Sequence, residues 1–159
     1  MPSGQTLDNE RNLGAKPEEF RLEMHIFYHF SRILARRNRL LNQELRRYDL
    51  DYPRWRVLAV LSQHPGISML QLAELAAVDR TSLAHTVRLM AEEALLERTN
   101  RSSDRRSIEL RLASVGRNKL DLIMPTVMAL NAQALAGVPV AKIDALLATL
   151  GQIGDNLLP

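Results

Sequence analysis

The sequence contains no cysteine. That excludes disulfides, thiolate metal centres and peroxide sensing through a reactive thiol. Aromatic residues make up only 4% of the chain, against 46% for all hydrophobic types, so a core has to be built from Leu, Ile, Val, Ala and Met. The N-terminus has no apolar run of the signal-peptide kind and no stretch reaches transmembrane length, so the expectation is a cytoplasmic protein with no membrane partner. Internal repeats and low-complexity segments are also missing. There is no nucleophile–base motif, no phosphate-binding glycine loop and no carboxylate pair in an obvious cleft, which makes an enzyme the least favoured class. The net charge of +3 says little about nucleic acid. Placement says more: Arg80, Arg88, Arg98, Arg101, Arg105 and Arg106 all fall in one short region.

What is present is most informative at residues 104–112. Ile108, Leu110 and Leu112 alternate with Ser107, Glu109 and Arg111, a period of two that predicts a half-buried strand. Residues 95–99 supply the opposite strand, and the turn formers of residues 100–104 join the two into a hairpin with Arg101, Arg105 and Arg106 near its tip. A helix rich in polar residues, starting at Asp79, directly precedes it. A helix followed by a basic hairpin suits contact with a major groove and the phosphates beside it.

At 159 residues the chain is one domain, or one domain with a helical extension. Residues 1–17 lack apolar periodicity and read as a mobile arm. A helix is predicted over residues 17–48, where Phe20, Met24, Phe27, Phe30 or Ser31, Leu34, Leu41 and Leu45 recur every three or four positions or multiples of that spacing. Asp51 and Pro53 open a second helix, which carries Trp55, Val57, Leu58, Val60 and Leu61 and stops at His64, Pro65 and Gly66. Ile67 is placed to add a one-residue edge to the hairpin. Ser68 caps a short helix over residues 69–77, and Asp79 caps the next, over residues 80–94. There Leu83, Val87 and Met90 face the core and Arg80, Ser82, His85 and Thr86 face outward. Helices over 114–136, interrupted by Pro125, and 140–157 complete the chain. The terminal helices are more apolar than one small domain covers, which points to a dimer formed through both ends of the chain.

At this level the sequence resembles the MarR family of winged-helix transcription regulators, over about residues 20–157. The family's wing signature, Asp-x-Arg, three residues, an aliphatic, one residue, Leu, Thr, is matched by Asp104, Arg106, Leu110 and Leu112, with Arg105 in between and Ala113 at the Thr position. The helix pair of residues 70–76 and 79–83 fits as well, as do Leu95, Leu96, Glu97 and Arg98 leading into the wing. The resemblance implies a mainly α fold with a small β-hairpin: a winged helix-turn-helix head, residues 51–113, on a helical dimerisation base, residues 18–50 and 114–159. It implies a homodimer on a near-palindromic operator of double-stranded DNA, usually a repressor released by a small-molecule effector. The helix at 80–93 would enter the major groove, and a wing arginine would reach the minor groove or its phosphates, with half-sites about one helical turn apart. Three positions depart from the family. His85 stands where Arg is frequent, and an imidazole lacks the bidentate fork of a guanidinium. Ala94 stands where Gly is common, so either a left-handed turn there carries a cost of about 1 kcal/mol or the turn takes another shape. Ala113 replaces a capping Thr, a role that falls to Ser114 one position later.

The candidate DNA contacts are therefore Ser68, Arg80, Thr81, Ser82, His85 and Thr86, with Arg101, Arg105 and Arg106 of the wing. Each has a plainer reading. Thr81 and Ser82 satisfy a first helical turn; Ser68 is first a cap, though a helix N-terminus also receives phosphate; Arg106 is placed to pair with Asp104 and stiffen the hairpin. His25 and His29, four apart on the first helix, have a metal-like spacing but no third ligand, so no metal or cofactor is expected. The family's effector pocket lies where the first helix, the next one and the DNA-binding lobe meet. His25, Tyr28, His29, Arg32 and Trp55 are its candidate lining. Trp55 reads equally as core, while Arg32 offers a guanidinium to an effector carboxylate. The run of residues 36–39 reads as a solvated helix face. An effector-independent or architectural DNA-binding protein is the alternative function, and a winged helix that holds another protein is a third.

Overall fold

The computed structural model describes residues 21–101 and 104–158; at residues 80, 100–101 and 104–107 it describes the backbone alone. The arm expected at residues 1–17 lies outside the described residues. The chain divides into two compact units, Met1–Ile123 and Met124–Pro159.

The fold is mainly helical with a single hairpin among the described residues. The first helix, α1, spans Ile26–Leu45. It is shorter than the helix predicted over residues 17–48. A 3-10 turn over Leu22–Met24 precedes it, and His25 is extended, with φ −88° and ψ 120°. At the other end Arg46–Tyr48 tighten into a 3-10 turn closed by Asp49, whose φ is 55°. Apolar spacing runs through both breaks because a 3-10 turn keeps residues three apart on one face; periodicity alone cannot see one extended residue. Only Leu41 and Leu45 of α1 are buried.

Helix α2, Tyr52–Gln63, lies at the centre of the first unit and packs against α1 and three later elements. Asp51 caps it by accepting from Arg54 N at 2.9 Å. Asn42 Oδ1 accepts from Tyr52 N at 2.7 Å, so α1 satisfies a second free amide of α2. Trp55, Val57, Leu58, Val60 and Leu61 are all buried. After Gly66, with φ 83°, a short helix α3 spans Met69–Ala76 and a longer one, α4, spans Arg80–Glu92. Leu72 of α3 and Leu83, Val87 and Met90 of α4 are buried to within 1%. They close the core over α2.

Strands β1, Leu96–Arg101, and β2, Asp104–Leu112, form the antiparallel hairpin. It pairs further than its sequence predicts: Asn100 faces Ile108 and Arg101 faces Asp104, with a register shift between them. Residues 99–101 have no apolar period, but ladder pairing uses backbone groups and needs none. Ile67 adds the expected single bridge to Leu110, through Leu110 N–H to Ile67 O at 2.9 Å. Helix α5, Ser114–Ala134, runs through Pro125, and α6 spans Val140–Asp155. No residue of α6 is buried. Among the described residues no helix is long and apolar enough to cross a membrane.

Candidate nucleic-acid interface

Helix α4 sorts its residues by face. Leu83, Val87 and Met90 anchor one side in the core, and Thr81, Ser82, His85 and Arg88 are exposed on the other. Asp79 caps its start by accepting from Ser82 N at 2.9 Å, so the first turn carrying Arg80, Thr81 and Ser82 is held in helical geometry. Thr86 is half-buried, and its Oγ1 donates to Ser82 O at 3.0 Å. His85 Nδ1 lies 3.3 Å from Arg88 Nη2, and Arg88 Nη1 donates to Glu92 Oε1 at 2.8 Å.

The far end of α4 is held as firmly. Glu93, its C-cap, is paired with Arg54 of α2, whose Nη1 also donates to Asp49 O at 3.2 Å. One guanidinium therefore joins the last turn of α4 to the left-handed residue that follows α1. Ala94 then takes φ 56°. The left-handed turn survives the replacement of glycine, closed by Ala94 N–H to Ala91 O at 3.1 Å and Leu95 N–H to Met90 O at 2.9 Å.

Ser68 begins α3 with a full capping box. Its hydroxyl accepts from Gln71 N at 3.3 Å and donates to Gln71 Oε1 at 3.0 Å, while Ser68 N–H donates to the same oxygen at 3.0 Å. The Ser68 hydroxyl hydrogen is thus already used. Arg101 pairs with Asp104 at the tip of the hairpin, and Arg105 and Arg106 fall in the register shift beside that pair; their side chains, like that of Arg80, lie outside the described residues.

The residues expected to bind an effector fall into separate groups. His29 and Arg32, with Ile33 and Arg36, line an open cavity of about 170 Å³ on α1. His29 Nε2 donates to Glu23 O at 2.6 Å, and the Arg32 guanidinium lies 5.3 Å from the centre of the Tyr28 ring. His25 packs near Phe27, ring to ring at 5.9 Å. Trp55 is not among the lining residues. It is 6% exposed, beside Tyr52 at 5.7 Å, with the Arg37 guanidinium 5.7 Å over its ring. Its Nε1 is buried without an acceptor among the described residues. Sequence reasoning set residues 36–39 aside as solvated and so missed both Arg36 and Arg37. Arg36 was within reach of the signal, since it stands seven residues after His29 and four after Arg32 on the same helix face. Among the described residues no three His, Cys, Asp or Glu side chains gather as a metal site.

Residues 50–108 match the MarR family model. The chain is 26% identical over 140 residues to the HTH-type transcriptional repressor IacR of Pseudomonas putida, covering 88% of this chain and 84% of that protein. A MarR-family transcriptional regulator from Silicibacter pomeroyi has the same fold, with TM-score 0.81 and 26% identity over 90% of this chain and 97% of the other. Residues 50–108 are thus a MarR-type domain, in a chain whose fold is that of a MarR-family regulator. A more distant likeness, to a Mycobacterium tuberculosis MarR-family protein in complex with p-aminosalicylic acid, has TM-score 0.66 and 24% identity over 82% of this chain and 98% of that one, and bears on the fold alone. In MarR terms, α3 and α4 are the helix-turn-helix and β1–β2 the wing, so the chain is a transcription regulator of winged-helix, DNA-binding type.

Proposed function

We propose that this MarR-family regulator is a homodimeric cytoplasmic repressor that reads an inverted-repeat operator and is released by a small organic ligand. Residues 51–113 form the reading head, and residues 18–50 and 114–159 the base. The observation that carries the reading is the division of α4 into a core-anchored face and an exposed polar face, followed at once by a basic hairpin. A helix fixed in this way has its outer side chains free for base edges, and the wing arginines are placed for phosphate or the minor groove. Arg80, Thr81, Ser82, His85 and Thr86 meet the major groove. Ser68 meets a phosphate through the amides of its helix end rather than its committed hydroxyl, and Arg101, Arg105 and Arg106 act from the wing.

Repression is supported by the likeness to a transcriptional repressor. An effector is supported by the cavity on α1: about 170 Å³ is comparable with the cavity of roughly 150 Å³ that accommodates a benzene ring. It offers the guanidinium groups of Arg32 and Arg36 to an anionic end and Ile33 to an apolar one. An aromatic carboxylate combines these features, as does the p-aminosalicylic acid held by the Mycobacterium tuberculosis protein. His29 and Arg32 contact it directly and Tyr28 acts through the Arg32 guanidinium that it packs against, with His25 and Trp55 bordering the same part of the chain. Binding shifts the spacing of the two heads only by the difference in affinity between the two states.

The test is to incubate the purified protein with sheared DNA from its own genome at physiological salt and sequence what it retains. Enrichment of one inverted repeat is the expected result. Retention with no shared sequence means affinity that is mostly phosphate charge, and replaces the repressor with an architectural DNA-binding protein. Heat stability in the presence of an aromatic carboxylate such as salicylate tests the effector separately, because a ligand that binds the folded state raises the midpoint.

A further inference from the structure

His85, Arg88 and Glu92 form a chain of contacts along the exposed face of α4. Arg88 and Glu92 are each more than half exposed, with relative side-chain areas of 53% and 57%. A guanidinium has five donors and no acceptor. The contact of Arg88 Nη2 with His85 Nδ1, at 3.3 Å, therefore requires a lone pair on Nδ1. The ring proton of neutral His85 then sits on Nε2. Among the described residues nothing accepts from Nε2, and His85 is exposed. The neighbouring Thr86 hydroxyl has given its hydrogen to Ser82 O, so it has no donor left for a base.

We propose that His85 reads DNA as a neutral imidazole that donates one hydrogen bond from Nε2 to a base edge, with Arg88 and Glu92 as positioning residues that set its tautomer. The inference rests on the reading of α4 as the recognition helix. Its consequence for sequence is definite. In the major groove guanine presents N7 and O6, adenine N7 and thymine O4 as acceptors, whereas cytosine presents only its N4 amino donor. A single donor at Nε2 refuses cytosine on the contacted strand and accepts the other three, guanine best because its two acceptors lie side by side. The opposite tautomer would accept from cytosine N4 or adenine N6. Arg88 thus decides which bases are read without touching them.

Full-length wild-type protein is compared with Arg88→Met, Arg88→Lys and His85→Ala. Nitrogen-15 spectra of labelled histidine, with the His85 signals assigned by their loss in His85→Ala, report the tautomer directly. A bare Nδ1 and protonated Nε2 are expected in the wild type, a mixture in Arg88→Met, and recovery in Arg88→Lys, which retains a donor. Each protein is then used to select from a pool of random duplexes. The wild type is expected to yield an inverted repeat with one position per half-site at which cytosine is disfavoured by about fivefold or more, a factor at the lower end for a good base contact. Arg88→Met and His85→Ala are expected to lose that exclusion, and Arg88→Lys to keep it. A proton on Nδ1 in the wild type overturns the inference. So does an unchanged base preference in Arg88→Met with uniformly weaker binding and a salt slope reduced by about one, the signature of a phosphate contact. If the wild type selects no repeat at all, the recognition-helix reading fails and this inference fails with it, which separates the two.

Discussion

Ala77 and Ala94 have φ of 50° and 56°, a region where a Cβ costs about 1–2 kcal/mol. They end α3 and α4, the two helices of the reading head. At Ala94 the chain has little choice: Leu95, next in line, is 2% exposed, and the left-handed turn drops it into the core while closing the helix. Replacing Ala94 by Gly is expected to raise stability by about 1 kcal/mol, read as a higher urea midpoint at unchanged slope; an equal or lower midpoint would show that the turn is not strained. Gly116 is the reverse case. A Cβ built there stands 2.0 Å from Leu95 O, so Gly116→Ala has to push α5 away from the start of the hairpin. A loss of about 3 kcal/mol or more is expected, at the upper end for overpacking, and a denaturation curve close to wild type would contradict the close approach. Sequence reasoning raised the question at Ala94, because a common glycine is replaced there. It could not find Gly116, whose importance lies entirely in a backbone from another element.

Capping was legible at three helices but not at α5, where Ser114 is the first helical residue rather than the cap. Asp51, Ser68 and Asp79 were all readable as caps and all accept the expected amide, because a cap is fixed by residues two or three apart. What the pattern did not carry was the extended His25 that delays α1, the Asn42 side chain that completes the start of α2, and the added pairing of β1. Each depends on backbone state or on a partner distant in sequence. Asp79→Ala is expected to cost about 1 kcal/mol and to fray the turn that carries Arg80, Thr81 and Ser82. Binding to the retained repeat, followed by fluorescence anisotropy, should weaken by more than binding to random duplex. Equal loss on both would mean that this turn supplies charge only. Among the candidate contacts, those of α4 were placed on one helix correctly in sequence because the 3.6-residue period separates them from Leu83, Val87 and Met90. The effector residues were harder: Tyr28, His29 and Arg32 come together, but Trp55 packs with Tyr52 and Arg37 instead.

At the scale of the whole molecule, the burden falls on α6. Leu147 is 62% exposed and Val140 71%, and a helix of 16 residues with no buried face is marginal in water. The proposed second subunit would cover it. Two results are expected. The thermal midpoint should rise with protein concentration, as it does when folding is coupled to association. Leu147→Glu should sediment as a smaller species than the wild type and lose affinity for the full repeat far more than for a single half-site. A wild-type midpoint independent of concentration, together with a mutant of unchanged size, would remove α6 from the interface.

The chain has one tryptophan, and it sits between α1 and α2 with the Arg37 charge over its face. Every photon of indole emission therefore comes from that junction. A small displacement of α1 changes the field on the ring, whereas motion confined to the tip of the hairpin leaves it dark to the detector. The molecule is its own unlabelled optical gauge, and a titration followed at this wavelength can tell a compound settling beside α1 from a duplex settling on α4.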